Sequence, residues 1–179
     1  MADNAETRLW IMRIAFAAMC LTIMYWQLLP LETIPKRWTG PDLLITLCCV
    51  WVLRRPTYVP VLLIAAAFLL ADFLFQRPPG LMAAVVVLVT ENLRRRSQTM
   101  LDMPFSVEWL TAASAMTAIV LGNRILSAVF FVDQTSLGLS LIQVIMSVLA
   151  YPLVALFCYA FLRLRKTTPR ERDGLAGRI

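Results

Sequence analysis

The sequence predicts an all-α integral membrane protein of six transmembrane helices with both termini in the cytoplasm. Three observations carry that expectation. Of 179 residues, 60% are hydrophobic and 16% are charged, with a mean hydropathy of +0.73. An ordinary soluble domain is roughly 45–50% apolar and about 25% charged. The apolar residues fall in blocks that approach the ~20 residues needed to cross a ~30 Å hydrocarbon core. The basic residues gather at the ends of those blocks, nearly all on one side.

The blocks place spans at 9–29, 41–53, 57–75, 79–93, 106–132 and 139–162. The first follows Arg8 and Arg13, as a signal peptide would. However, Ile14 to Leu29 is long for a signal core, and Leu29-Pro30-Leu31-Glu32 has no small-residue cleavage pattern, so it reads as a retained span. The second opens on Thr39-Gly40-Pro41-Asp42. Its proline sits near the first helical position, and the carboxylate complements the positive end of the helix dipole. The fourth opens similarly on Pro78-Pro79-Gly80. The second and fourth spans are short, on the order of 20 Å at 1.5 Å per residue. They require local thinning of the bilayer, burial among neighbours, or snorkelling ends. Loops are short, so consecutive helices are expected to be neighbours. The expected organisation is one transmembrane domain over 1–166 and a basic, disordered cytoplasmic tail over 167–179, with no soluble domain.

Charge sets the orientation. Arg8, Arg13, Arg54, Arg55, Arg94, Arg95, Arg96 and the basic residues of the tail, including Arg163, Arg165 and Lys166, fall on one side. Only Lys36, Arg37 and Arg77 fall on the other. The positive-inside rule makes the crowded side cytoplasmic. There the arginines at 54, 55 and 94–96, with Arg163, Arg165 and Lys166, serve as headgroup anchors on anionic lipid. Trp10, Trp26, Trp38, Trp51 and Trp109 all lie at or just outside span ends, as an interfacial aromatic belt requires.

The same features exclude several functions. The net charge of +6 and pI of about 9.6 come from span-end arginines rather than from a nucleic-acid-binding patch. Cys20, Cys48, Cys49 and Cys158 lie inside apolar blocks without a CxxC pair, so they read as small packing residues. The chain has no histidine, which removes the commonest general base and metal ligand. No GxSxG, HExxH, Walker loop or DxxD cluster is present. A non-enzyme without cofactor or metal is expected. A transporter is the other class that intramembrane carboxylates can mark, but one acid near each face and no clear inverted repeat make that signal weak.

Charges inside apolar blocks are costly and usually face the bundle interior. Asp72 and Arg124 each lie outward of their span's midpoint by roughly 7–9 Å. This level match predicts an Asp72–Arg124 pair holding the third span against the fifth. In the inner half, Arg13 and Glu91 lie at similar depth. Either they pair, or Arg13 snorkels while Glu91 is neutralised by Arg94 or Arg95 on its own helix; the second alternative is slightly favoured. In the fifth span Ser114, Ala118 and Gly122 recur every four residues. They form a small-residue face for another helix of the bundle or of a partner chain.

Over Lys36 to Arg96 the chain resembles the MreD family of bacterial rod-shape-determining membrane proteins. The likeness rests on Pro41-Asp42 at the entry to the second span, Trp51-Val52-Leu53 at its exit, Arg55-Pro56 in the turn, Asp72 late in the third span and Gly80 opening the fourth. Tyr151-Pro152 in the last span and the basic run Arg163 to Lys166 are also similar. One departure is Phe68, where many members have a glycine four residues before the aspartate; Ala65 or Ala71 is the expected substitute for close helix contact. The resemblance implies a six-helix bundle like the substrate-binding subunits of energy-coupling-factor vitamin transporters. It also implies a non-enzymatic scaffold of the inner-membrane elongation machinery. The implied partners are MreC, the MreB filament, a RodA-type glycosyltransferase and a class B penicillin-binding protein. The bundle likeness supplies the alternative function, a vitamin-type uptake subunit.

Overall fold

A computed structural model describes residues 2–29, 40–97, 104–131 and 136–162. Within them the chain is all-helical, without strands. The helices are α1 (Ala2–Leu28), α2 (Leu43–Arg54), α3 (Val61–Leu74), α4 (Leu81–Ser97), α5 (Phe105–Val129) and α6 (Leu137–Leu162), with a single 3-10 turn at Pro56–Tyr58 between α2 and α3. Among the described residues three stretches are long and apolar enough to cross a membrane: Glu6–Leu28, Phe105–Val129 and Leu137–Ala160. Trp38, the basic anchors Arg163, Arg165 and Lys166, and the tail lie outside the described residues.

The expected third span is shorter than its apolar run. Proline fixes φ and keeps the preceding residue out of the helical region. Pro56 and Pro60 therefore break the segment, leaving Arg55 at φ −145° and Val59 at φ −122°. Pro60 itself is extended (φ −62°, ψ 154°), and α3 begins only at Val61 and runs for 14 residues. At the other boundary the correction runs the opposite way. Arg94, Arg95 and Arg96 form the last turn of α4 rather than a loop, where cations complement the negative end of the helix.

Helix α2 is the centre of the bundle. Every residue from Leu44 to Leu53 is buried, and α1, α4, α5 and α6 all pack against it. A helix apolar on every side has no surface face, so the continuous run LLITLCCVWVL is a core sequence. Burial, of the three routes open to a short apolar helix, is the one α2 takes. Its start is capped as the sequence suggests: the Asp42 carboxylate accepts from the Ile45 amide at 3.2 Å. The proline lies one position further out, ahead of the cap. Asp42 also joins α6, its amide donating to Ser147 Oγ at 2.8 Å.

Trp51 does not belong to an interfacial belt. It is fully buried and meets Phe16 of α1 edge-on, with ring centroids 5.3 Å apart. Trp10 and Trp26 of α1 are exposed. Position at the end of an apolar run cannot distinguish these cases, because α2 ends inside the bundle. All four cysteines are buried free thiols packed in the core. Phe68 fills the core too, where the resemblance expects glycine. It is Ala71, beside Asp72, that is small and buried on α3.

Replacing Trp51 by alanine is expected to destabilise the bundle by about 3–5 kcal/mol, the usual result of emptying a core aromatic site. Trp26→Ala, on an exposed face, is expected to change little. Thermal unfolding in detergent micelles, followed by helical circular dichroism, checks both; equal shifts for the two variants would refute the central placement of α2.

Candidate functional site

Polar groups inside this apolar protein cluster at helix ends. In hydrocarbon an unsatisfied backbone group costs several kcal/mol, so helix termini must find partners within the chain. Besides the Asp42 cap of α2, the described side chains supply those partners at three places.

The first is Asp72, which is fully buried. Its Oδ2 accepts from the Gly80 amide at 3.0 Å and the Ala83 amide at 3.3 Å. Gly80 has φ +87°, a conformation natural only to glycine, and it immediately precedes α4. Glycine carries no side chain to cap the helix, so α3 lends a carboxylate to the free amides and positive dipole of α4. The same residue closes its own helix. The Arg77 amide donates to the Asp72 carbonyl at 2.9 Å and the Gln76 amide to the Phe73 carbonyl at 3.3 Å, with Gln76 left-handed at φ 53°. That pattern is a Schellman closure. Asp72 thus ends α3 through its backbone and starts α4 through its side chain. Its Oδ1 is buried and accepts no hydrogen bond among the described residues.

The expected Asp72–Arg124 pair is therefore not formed. Arg124 Nη1 instead donates to Ser140 Oγ at 3.0 Å, linking α5 to α6. Matching the depths of charged side chains missed the competitor, a helix N-terminus eight residues from the aspartate in sequence.

The second place is the opposite, basic end of α2. Arg54 Nε donates to Glu108 Oε1 at 2.8 Å, and Arg54 Nη1 reaches the carbonyl of Ala155 at 3.2 Å. The Tyr151 hydroxyl donates to the same Glu108 oxygen at 2.9 Å. Glu108 and Arg54 have side chains only 4% and 12% exposed. Three helices meet here, α2, α5 and α6, and Glu108 also sits in the first turn of α5, where a negative charge is favoured. Arg54 is accordingly an interior ion-pair partner rather than a headgroup anchor. Glu108 is not among the residues that the sequence singles out, and Tyr151 enters there only through the family resemblance. The available signal was that Glu108, at the start of the fifth span, shares a level with Arg54 at the end of the second.

A proline completes this region. Pro152 lies inside α6, and lacking an N–H it leaves the carbonyl four residues earlier without a helical donor. That carbonyl belongs to Val148, and the Trp109 indole Nε1 donates to it at 2.9 Å. Trp109 is a peg between α5 and α6 as well as a partly exposed aromatic.

The third place holds the turn after α2. Arg94 Nη1 donates to the Pro56 carbonyl at 3.0 Å and Nη2 to the Val59 carbonyl, so α4 clamps the 3-10 turn. Arg94 is spent there rather than in the headgroups. Arg55 packs over the Tyr58 ring at 5.8 Å, while Arg95 is exposed and Arg96 likewise. Glu91 lies 3.4 Å from Arg94 Nε and 3.8 Å from Arg95 Nε on its own helix. Arg13 lies over the Trp10 ring at 5.3 Å. Among the described residues no ion pair joins Arg13 to Glu91.

The small-residue stripe of α5 is not one internal face. Gly122 packs on α4, where an added Cβ would meet Val85 Cγ1 at 3.0 Å. Ser114 and Ala118 are exposed. No group of three or more potential metal-ligating residues occurs among the described residues. Neither a known protein-family model, nor a curated protein, nor a solved structure matches the chain.

Two outcomes are expected. Asp72→Ala, which strands two buried amides, should cost more than Asp72→Asn, which keeps an acceptor; each stranded group is worth about 1–3 kcal/mol. Arg124→Gln should add to Asp72→Asn within about 0.5 kcal/mol, as independent sites do; strong coupling in detergent unfolding would restore the pairing. Separately, Trp109→Phe should cost about 1 kcal/mol with Pro152 present and clearly less after Pro152→Ala, because the new amide then satisfies Val148. A double-mutant cycle without coupling would contradict that role.

Proposed function

We propose that the chain is a six-span, non-enzymatic scaffold of a bacterial inner membrane, with both termini in the cytoplasm. It serves the rod-shape elongation machinery and joins MreC and the wall synthases, a RodA-type glycosyltransferase and a class B penicillin-binding protein, to the cytoplasmic MreB filament. The observation that carries this reading is how the buried charges are used. Asp72, Glu108, Arg54 and Arg94 each bridge different helices or turns of the chain itself. Polar groups committed to architecture fit a scaffold better than a catalyst.

The described residues of the family resemblance support the same reading, because those that follow have architectural positions. Asp42 caps α2, Trp51 fills the core, Pro56 starts the 3-10 turn, and Asp72 and Gly80 form the junction of α3 with α4. Tyr151 and Pro152 belong to the α5–α6 junction. Partner helices have ample apolar surface to meet on α1, α5 and α6, where Ile14, Leu21, Leu110, Leu121, Leu141 and Leu153 are exposed. The exposed Arg95 and Arg96 face anionic lipid or cytoplasmic partners.

Depletion of the protein is expected to abolish rod shape, and a gentle-detergent pull-down should bring MreC with it by mass spectrometry. A tightly copurifying vitamin-type molecule, with cell shape unaffected by depletion, would instead assign the chain to the uptake alternative and overturn the scaffold.

A further inference from the structure

The helices that face lipid differ in height around the bundle. On one flank α6 exposes Leu137, Leu141, Ile145, Leu149, Leu153, Leu156 and Tyr159, an apolar stripe about 33 Å long at 1.5 Å per residue. It matches the ~30 Å hydrocarbon core of a bilayer. The other flank is α3 with α4. Helix α3 has 14 residues, about 21 Å, and exposes Leu62 and Phe73 near its two ends. On α4 the exposed apolar face is only Ala84 and Leu88, followed by exposed Asn92, Arg95 and Arg96. The turn joining the two helices exposes Gln76, Arg77 and the two prolines. The apolar band of this flank is therefore roughly 10 Å shorter than the bilayer core.

A short helix escapes mismatch by burial, by snorkelling or by thinning the bilayer. Burial is the route of α2, but α3 and α4 keep exposed leucines and Phe73 on the outside. At each end one arginine is drawn back from the headgroups, although Arg95 and Arg96 stay exposed at the basic end. The Arg94 guanidinium is held by the Pro56 and Val59 carbonyls, and that of Arg77 lies back over the Phe75 ring at 5.3 Å.

We propose that the α3–α4 flank holds a locally thinned bilayer, so that the protein sits in an asymmetric lipid collar, thin on this side and of ordinary thickness along α5 and α6. The occupant of the flank is lipid, and the collar favours shorter acyl chains there. This inference rests on α3 and α4 crossing the membrane, as the six-span reading has it.

Single cysteines test it in the full chain, reconstituted in phosphatidylcholine vesicles with 18-carbon monounsaturated chains. Arg77→Cys and Arg95→Cys mark the two ends of the flank, and Asn92→Cys gives a second site at the basic end. Arg8→Cys, on the exposed start of α1, gives the aqueous reference, and the unsubstituted protein, whose cysteines are all buried, gives the background. With a membrane-impermeant maleimide, positions 77 and 95 are expected to react from opposite faces, each within about threefold of the reference. In 22-carbon chains at least one of them should slow, and in 14-carbon chains neither should. Reaction from opposite faces with one position more than tenfold slow in 18-carbon chains overturns the thinning while leaving the six-span reading intact. Reaction from the same face overturns that reading and the thinning with it. Fast reaction in vesicles but protection in native membranes would give the flank to a partner protein and overturn the lipid assignment.

Discussion

A twelve-residue helix wrapped on all sides is the constraint from which the rest follows. Helix α2 can present its ten consecutive buried residues only if other helices surround it, and α1, α4, α5 and α6 do so. Its two ends then lie inside an apolar body, where their polar groups cannot rely on water. One end is answered by Asp42 with Ser147, the other by Arg54 with Glu108 and the Ala155 carbonyl. Breaking a buried pair by removing one partner leaves an uncompensated charge. The grip on α2 and the mutual placement of α5 and α6 are thus one problem with one solution.

The same logic repeats at each junction. The helix that Gly80 opens lacks a cap of its own, and Asp72 of the preceding helix supplies it. Where a proline removes a donor, another helix replaces it, as Trp109 does for Val148. Such bonds are directional, so they select a helix arrangement that apolar packing alone would leave loosely specified.

Much of this was legible in the residues. Apolar runs bounded by arginines placed the helices closely, and Thr39-Gly40-Pro41-Asp42 announced the cap of α2. Prolines at 56 and 60 were equally visible, but a hydropathy reading passes over them because the run stays apolar. Asp72 reads in sequence as a buried structural charge, but depth along a span points to Arg124, whereas the amides and dipole of the next helix take its carboxylate. Glu108 was overlooked because a carboxylate near a span end looks like any interfacial charge. Trp51 has the sequence context of a belt residue, and only the presence of helices beyond it makes it core.

From the residues alone follow the helical, apolar character of the chain, the approximate place of each helix, and which ends are basic. Those properties follow from composition, proline and the local requirements of a helix terminus, which act over a few residues. Which charge meets which partner, and which short helix is buried and which faces outward, depends on how the helices pack. A hydrogen bond such as Arg54 to Glu108 joins groups 54 positions apart, and no local pattern records that separation. Direction and distance in three dimensions settle it, because an apolar interior favours whichever donor or acceptor the packing brings within reach.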